Sequence, residues 1–483
     1  MNNQNYSEFK ALIKNKSVAV IGVGISNRPL IRFLHALGAK ISAFDRLDSD
    51  DAVLMTTKSE FKAQGISLQW HTGEHYLQSL SSGDYDFVFK TPKFRDDSPV
   101  LKTLRQKGSI LTSEMEVFMT LCPARIIAVT GSDGKTTTTT LISEILKAEG
   151  YNVHLGGNIG TPLLDRIETI ESSDFVVLEL SSFQLMTISQ RCNVAVITNI
   201  SPNHLDFHSD YEEYISSKMN IFRSQTLFDR LVINADNDIT KEFIGQQKGS
   251  LSCFSLENTL HFENVPSSES VVFLKDNHIF LQTQDQTEVI MNADDILIPG
   301  RHNIDNMLAA IGATHPFVRN NAIVQVAKQF PGVEHRIEFV ESVNNRRFYN
   351  SSIDTSPTRT INTMEALALR SERGVLIAGG QDKKCDYTGL GTAIASVCHS
   401  VVLYGDNSDL IRDTVFKECG ENLVQISDAA NYDEAIRIAY QMSREGDVII
   451  LSPTGTSYDY FRHFEERGNL YKDLVRRFAK ELQ

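Results

Sequence analysis

The sequence is poor in the features that mark several classes of protein. Its 483 residues include six cysteines and a single tryptophan. Cys122, Cys192, Cys253, Cys385, Cys398 and Cys419 are scattered without C-x-x-C spacing. That pattern argues against a zinc site or a disulfide frame, and reduced thiols are expected. No uninterrupted apolar run approaches the roughly 18 residues of a membrane-spanning helix. The opening stretch MNNQNYSEFKALIKNK has no apolar signal core, so a cytoplasmic protein without a membrane span is expected. Positive charge is in deficit, 47 Lys+Arg against 61 Asp+Glu, for a net −14. A nucleic-acid binder would show the opposite balance. Small anions are not excluded, because a local site can be basic on an acidic protein. Low-complexity tracts and solenoid repeats are also lacking.

What remains is an ordinary globular composition, 41% hydrophobic and 22% charged. The length suggests about three domains. The most informative stretch is IIAVTGSDGKTTTTTL, from Ile126 to Leu141. Ile126 to Val129 read as a short buried strand, followed by the turn Gly131-Ser132-Asp133-Gly134. Lys135, Thr136 and Thr137 then open a helix. A strand that feeds a glycine turn into a helix N-terminus aims backbone N–H groups at phosphate. Lys135 adds charge for the outer phosphates, and the Thr136 hydroxyl is placed for Mg²⁺. The widespread form of this loop has four residues between its glycines; here there are two.

Other segments repeat the strand-turn-helix theme. Ser17–Ile21 leads into Gly22-Val23-Gly24-Ile25-Ser26-Asn27, and a second strand, Lys40–Phe44, ends at Asp45. This is the layout of a dinucleotide fingerprint. With Asn27 in the third glycine position, close helix–strand packing is not assured. A mononucleotide-type fold that holds another diphosphate at its first turn fits equally well. The strand Asp86–Phe89 runs into Thr91-Pro92-Lys93. Phe175–Leu178 is an apolar strand tipped by Glu179, either a metal ligand beside the phosphate loop or a solvated strand end. His204 follows the strand Val194–Thr198. Lys218 lies on a helix, Tyr211–Phe222, at the margin of the stripe Ile215, Met219 and Phe222. It could be a snorkelling side chain or a site residue. Residues 251–297 read as strands, with a hairpin turning at Asp276-Asn277. Asn303 and Asn306 share one face of the next helix, able to meet a purine edge or to cap it. Gly374–Ala378, Val401–Gly405 and Val448–Leu451 imply a further open α/β sheet.

Taken in order, GVGISN, TGSDGKTT, GGNIG (Gly156–Gly160), LELSSFQL, NISPNHLDFH, YISSKMNIF, GRHNIDNMLAA, EHRIEF, GGQDKK and LSPTGTSYDYFRHFEERGN resemble the Mur ligase family nearly end to end. ELSSFQL and the last motif resemble its glutamate-adding branch. The resemblance implies an α/β protein of three domains. Residues 1–113 would form a Rossmann-like open sheet for a UDP-sugar, 114–330 a central P-loop ATPase-type domain, and 331–483 a Rossmann-like α/β domain for the amino acid. It implies ATP-dependent addition of D-glutamate to UDP-N-acetylmuramoyl-L-alanine in cytoplasmic peptidoglycan precursor synthesis, by a monomer without a nucleic-acid partner. Ser26 and Asp45 would contact the uridine diphosphate end, and Asn158 and Gln184 the muramoyl-alanine. Gly131 to Thr137 would hold the ATP phosphates, Asn303 and Asn306 adenine, and Arg336 the γ-phosphate. Of two Mg²⁺ ions, Thr136 and Glu179 would bind one and His204 the other. Lys218 would take up CO₂ as a carbamate that orients the second ion. Lys383, Ser457, Phe464 and Thr355 would surround the incoming glutamate.

Two departures stand out. After Asn350 the chain reads Ser351-Ser352-Ile353 where the family commonly has Asp-Ser-Lys, and Asn203 replaces a frequent Asp before the metal histidine. Altered nucleotide contacts are expected rather than lost activity. A folylpolyglutamate-synthase-like ligase and a catalytically silent nucleotide-binding regulator are the alternatives. The first would not need the UDP-binding segment; the second is motivated by Ser351 and Asn203.

Overall fold

The computed structural model describes the chain except residues 1–2, 25, 161, 203–206, 258–267, 299, 369–370, 383–384, 462 and 483. His204, Asn203 and Lys383 therefore lie outside the described residues. Three sheets organise the rest, and their central strands, such as Phe87–Phe89, Phe175–Glu179 and Gly374–Ala378, are buried along their length, the pattern of parallel strands covered by helices.

The first sheet contains β1 (Ser17–Ile21), β2 (Lys40–Asp45), β3 (Gln69–Thr72), β4 (Phe87–Phe89) and β5 (Ile110–Thr112) in the order β3-β2-β1-β4-β5. All its pairings are parallel. The order reverses between β1 and β4, and it is at the loops after such a switch point that open sheets of this kind hold ligands.

The central sheet contains β6 (Arg125–Thr130), β7 (Val153–Gly157), β8 (Phe175–Glu179), β9 (Val194–Ile197), β10 (Arg230–Asn234), β11 (Ser250–Ser255), β12 (Ser268–Lys275), β13 (His278–Thr283) and β14 (Thr287–Asn292). Their order is β14-β13-β12-β11-β10-β9-β6-β8-β7. β6 sits between β8 and β9, with parallel pairing on both sides. The loops after β6, β8 and β9 thus emerge side by side at one sheet edge. β12 and β13 form the expected hairpin, Lys275 opposite His278. Asp276 and Asn277 have φ of 47° and 61°, the two left-handed residues that a two-residue hairpin turn of this hand requires.

The third sheet contains β15 (Glu338–Val343), β16 (Arg346–Asn350), β17 (Gly374–Ala378), β18 (Cys398–Leu403), β19 (Gln425–Asp428) and β20 (Val448–Leu451), ordered β15-β16-β20-β17-β18-β19. Only β15 and β16 pair antiparallel. The chain forms two compact units. One comprises Met1–Asp295 with Ile304–Ala327 and so holds the first two sheets; the other comprises Ile296–Asn303 with Lys328–Gln483. All six cysteines are free. Among the described residues no helix is long and apolar enough to cross a membrane.

Candidate active site

β6 is buried from Ile126 to Thr130 and delivers the chain to Gly131. Here φ is +154°, and a Cβ would stand 1.9 Å from Thr198 Oγ1. Gly134 has φ +77° and is the N-cap of the helix Lys135–Glu149. A Cβ there would meet Asn306 Oδ1 at 2.2 Å. Both glycines are therefore needed for close approach as well as for backbone conformation. The loop that follows β9 braces the turn. Ser132 N donates to Asn199 O at 2.9 Å, Asp133 N to Asn199 Oδ1 at 2.9 Å, and Thr198 Oγ1 to Asp133 O at 2.6 Å. Ser132 Oγ donates to Ser201 O at 2.9 Å and lies 2.8 Å from Tyr214 Oη.

Charged groups converge on this turn. Lys135 Nζ donates to Gly131 O at 2.9 Å and Ser132 O at 2.8 Å. Lys218 Nζ donates to the same Gly131 carbonyl at 2.7 Å and lies 4.6 Å from the centre of the Tyr214 ring. Lys218 is 2% exposed, so the helix Tyr211–Arg223 turns it inward rather than along a margin. Burial, then the neighbouring Lys135 charge, lowers its pKa to about 7, against the pull of Asp133 and Glu179. Its amine thus titrates near neutrality.

Glu179, 1% exposed at the end of β8, is no solvated strand end. Thr136 Oγ1 donates to its Oε2 at 2.7 Å, and Asn158 Nδ2 to its Oε1 at 2.8 Å. Gly157, φ +97°, allows that approach; its Cβ would sit 2.2 Å from Glu179 O. Gln184 lies on the short helix Ser182–Leu185 that follows, where its Oε1 accepts from Ser181 N and Ser181 Oγ, each at 2.9 Å, as a capping box. Thr137, half-buried, follows in the first turn of the phosphate-loop helix. Asn306 is buried on the helix Arg301–Thr314 and accepts from Thr138 Oγ1 at 3.2 Å. Asn303 is buried on the same helix but falls in the second compact unit.

At the first sheet, Asp45 closes the glycine turn: its Oδ2 accepts from Val23 N at 2.8 Å and its Oδ1 from Leu47 N at 3.0 Å. Asn27 stands in the third glycine position, where packing of the usual kind is not assured. It is buried, and its Nδ2 donates to Ile21 O and Gly22 O at 3.1 and 2.8 Å. The amide replaces bare close packing with hydrogen bonds. Ser26 is the exposed N-cap of the helix Asn27–Ala36, with its hydroxyl not used for capping.

In the second unit, Arg336 is exposed at a turn whose neighbours His335 and Ile337 have φ of 65° and 45°. His335 N donates to Glu338 Oε2 at 2.8 Å, and Lys472 Nζ donates to Glu338 Oε1 at 3.1 Å. Thr355 follows the fully buried Ser351 and Ser352. Ser457 is buried; Phe464 opens the helix Phe464–Glu481 with its ring edge-on to His335. Arg467, three residues on and 1% exposed, donates through Nη1 and Nη2 to Gly455 O, Thr456 O and Ser352 O at 3.0–3.2 Å, which ties the Ser457 loop to the Ser352 turn. Neither Arg467 nor Tyr214 was singled out from sequence. Tyr214 carried a usable signal, four residues before Lys218 on one helix and hence on the same face.

A glycine turn at a helix N-terminus, a lysine across it and a Thr136–Glu179 pair beside it form an arrangement able to receive phosphate. The Mur ligase middle domain model matches residues 129–314, and the Mur ligase glutamate ligase domain model residues 335–455. UDP-N-acetylmuramoylalanine–D-glutamate ligase of Acetivibrio thermocellus is 47% identical over 477 residues, 98% of this chain and 99% of that one. The ligase of the same name from Ruminiclostridium cellulolyticum is 45% identical over the same shares of both chains. The solved UDP-N-acetylmuramate-alanine ligase from Thermotoga maritima shares the fold, at a TM-score of 0.53 and 17% identity, over 96% of this chain and 100% of that one. The chain belongs to the Mur ligase family, a family of ATP-dependent ligases.

Proposed function

We propose that this chain joins D-glutamate to UDP-N-acetylmuramoyl-L-alanine at the expense of ATP, in cytoplasmic peptidoglycan precursor synthesis. The observation that carries the reading is the convergence of Lys135, Lys218, Thr136 and Glu179 on the Gly131–Gly134 turn, in a chain matched along its length by ligases of that name. Residues 1–113 would take the UDP-sugar, with Ser26 and Asp45 at its diphosphate end and Asn158 and Gln184 near the muramoyl-alanine. Residues 114–330 would bind ATP, and residues 331–483 would supply Arg336 to the γ-phosphate and Thr355, Lys383, Ser457 and Phe464 to glutamate. Asn303 and Asn306 would face adenine.

The chemistry explains the donor set. A carboxylate is a poor acyl donor, so ATP phosphorylates the alanyl carboxyl to an acyl phosphate. The glutamate amine then attacks the carbonyl carbon, and inorganic phosphate leaves from a tetrahedral intermediate. Two anions must meet, and Lys135 and Arg336 oppose the charge that accumulates on the transferring phosphoryl group. Lys383 would fix a glutamate carboxylate, orienting the amine without moving a proton. The hard oxygens of Thr136 and Glu179 suit Mg²⁺, which takes one or two protein oxygens and completes its shell with phosphate and water; when bound, it would neutralise phosphate charge. For a second ion, His204 is the proposed ligand. The uncharged Lys218 amine, favoured by burial, is the form that can add CO₂; with loss of a proton the resulting carbamate would place an anion beside that ion.

The test is phosphate release across an amino-acid panel with the UDP-linked acceptor. Release that requires both UDP-N-acetylmuramoyl-L-alanine and D-glutamate, and is abolished by Lys135→Ala, supports the assignment. Equal release with other amino acids, or turnover of Lys135→Ala within a few-fold of the unmodified protein, contradicts it.

A further inference from the structure

The loop from Lys90 to Ser98 leaves β4 at the crevice side of the first sheet, yet no role above falls on it. Its side chains nevertheless reach the turn at Phe207 and the helices that carry Phe183 and Glu213. The Arg95 guanidinium donates through Nη1 to Phe207 O at 3.0 Å and Glu213 Oε2 at 3.1 Å. Nη2 donates to Glu213 Oε1 at 2.9 Å and Asp97 Oδ2 at 3.1 Å, and Nε to Asp97 Oδ1 at 3.1 Å. All five donors of the fork are thereby engaged. Arg95 also lies 5.7 Å from the Phe207 ring, and Lys93 Nζ 5.4 Å from the Phe183 ring.

What these groups hold matters more than their number. Glu213 is in the first turn of the helix that carries Lys218, and it also accepts from Ser209 N at 2.8 Å. Phe207 begins the described turn directly after residues 203–206, which include His204. From there the contacts run inward: the Phe183 and His208 rings stack at 5.7 Å and 4°, and His208 meets the Tyr214 ring edge-on at 5.3 Å. Tyr214 touches both Ser132 of the phosphate loop and Lys218. An isolated surface ion pair contributes little to stability. A bidentate pair that also binds a backbone carbonyl and stacks on a ring holds one geometry.

We propose that Arg95, through Glu213 and Phe207, is a positioning residue for the phosphate-loop chemistry, holding the 207–213 turn and the base of the Lys218 helix against the Lys90–Ser98 loop of the first sheet. The inference rests on the ligase reading, which unmodified turnover, measured first, tests separately. The experiment compares Arg95→Gln, Glu213→Gln and the double variant. Steady-state phosphate release is measured alongside acceptor affinity by calorimetry without nucleotide, and amide exchange over residues 207–223. Each single variant is expected to lower kcat about tenfold or more while acceptor Kd stays within about twofold, because the residue orients rather than binds. The double variant should be no worse than either single one, as expected for residues that act as a unit. Exchange over 207–223 should rise in all three. A kcat within about twofold of the unmodified protein overturns the proposal, as do multiplicative losses in the double variant. A rise in acceptor Kd that matches the loss of kcat overturns it too, since Arg95 would then belong to the acceptor pocket. A fall in melting temperature with kcat per active site unchanged would leave a purely structural contact and overturns it equally.

Discussion

Lys218 carries the sharpest single-residue consequence of this site. Its pKa is lowered to about 7 by burial and by Lys135, below the value of a lysine in an unfolded chain. Between those two values the unfolded state binds the extra proton, so this group's contribution to stability rises with pH through that window and is least favourable below pH 7. The same titration governs its chemistry, because only the neutral amine adds CO₂. Phosphate release should therefore show an acid limb with a midpoint near pH 7 that weakens as dissolved CO₂ is raised. Lys218→Ala should lose activity severely and recover part of it with a small added carboxylic acid; unchanged activity would make the lysine a packing residue only. Glu114 offers a test of opposite sign. It opens the helix Glu114–Leu121, its Oε1 is buried without a hydrogen bond, and burial followed by Asp165 raises its pKa to about 7. Stability is lost as pH rises from the ordinary carboxyl range through pH 7, because the unfolded chain gives up the proton first. Glu114→Gln should thus gain about 1–3 kcal/mol relative to the unmodified chain on going from pH 4 to pH 8. Denaturant titration checks this, and an equal difference at both pH values would contradict it.

At the scale of elements, much of the site was legible because strands apolar on both faces announce themselves. Ile126–Val129 and Phe175–Leu178 were found as neighbouring strand signals, and β6 and β8 do pair. The turn at Asp276-Asn277 was equally readable from its two residues. Less readable was anything that depends on contacts across the chain. Whether Glu179 was solvated or buried could not be decided locally, since its partners Thr136 and Asn158 come from other elements. Arg95 and Glu213 are 118 residues apart, and nothing near either announces the other. Asn27 left the packing at the first turn open for a related reason: its amide bonds back to β1, which spacing rules do not describe. The phosphate turn itself makes a prediction at this scale. Gly131→Ala would press a methyl group against Thr198 Oγ1 and the Asn199 carbonyl, at 1.9 and 3.2 Å. The β9 loop must then give way, and ATP affinity measured by calorimetry should fall by at least about tenfold. Unchanged affinity would show that the loop need not keep this shape to bind phosphate.

For the molecule as a whole, the resemblance implied an α/β chain of three parts, and the alternating strand and helix signals an open sheet in the last; three sheets are present. The two compact units group the first two sheets together and split within the helix Arg301–Thr314, between Asn303 and Ile304. Sequence pattern reports elements rather than the density of contact among them, so that grouping had no local signature. The central claim concerns the whole reaction: ATP serves here to turn a carboxylate into an acyl phosphate. The most direct measurement supplies UDP-N-acetylmuramoyl-L-alanine labelled with 18O in its alanyl carboxylate, together with ATP and D-glutamate, and follows the released phosphate by mass spectrometry. The account predicts one 18O atom carried from the carboxylate into each phosphate formed; phosphate released without the label would contradict it.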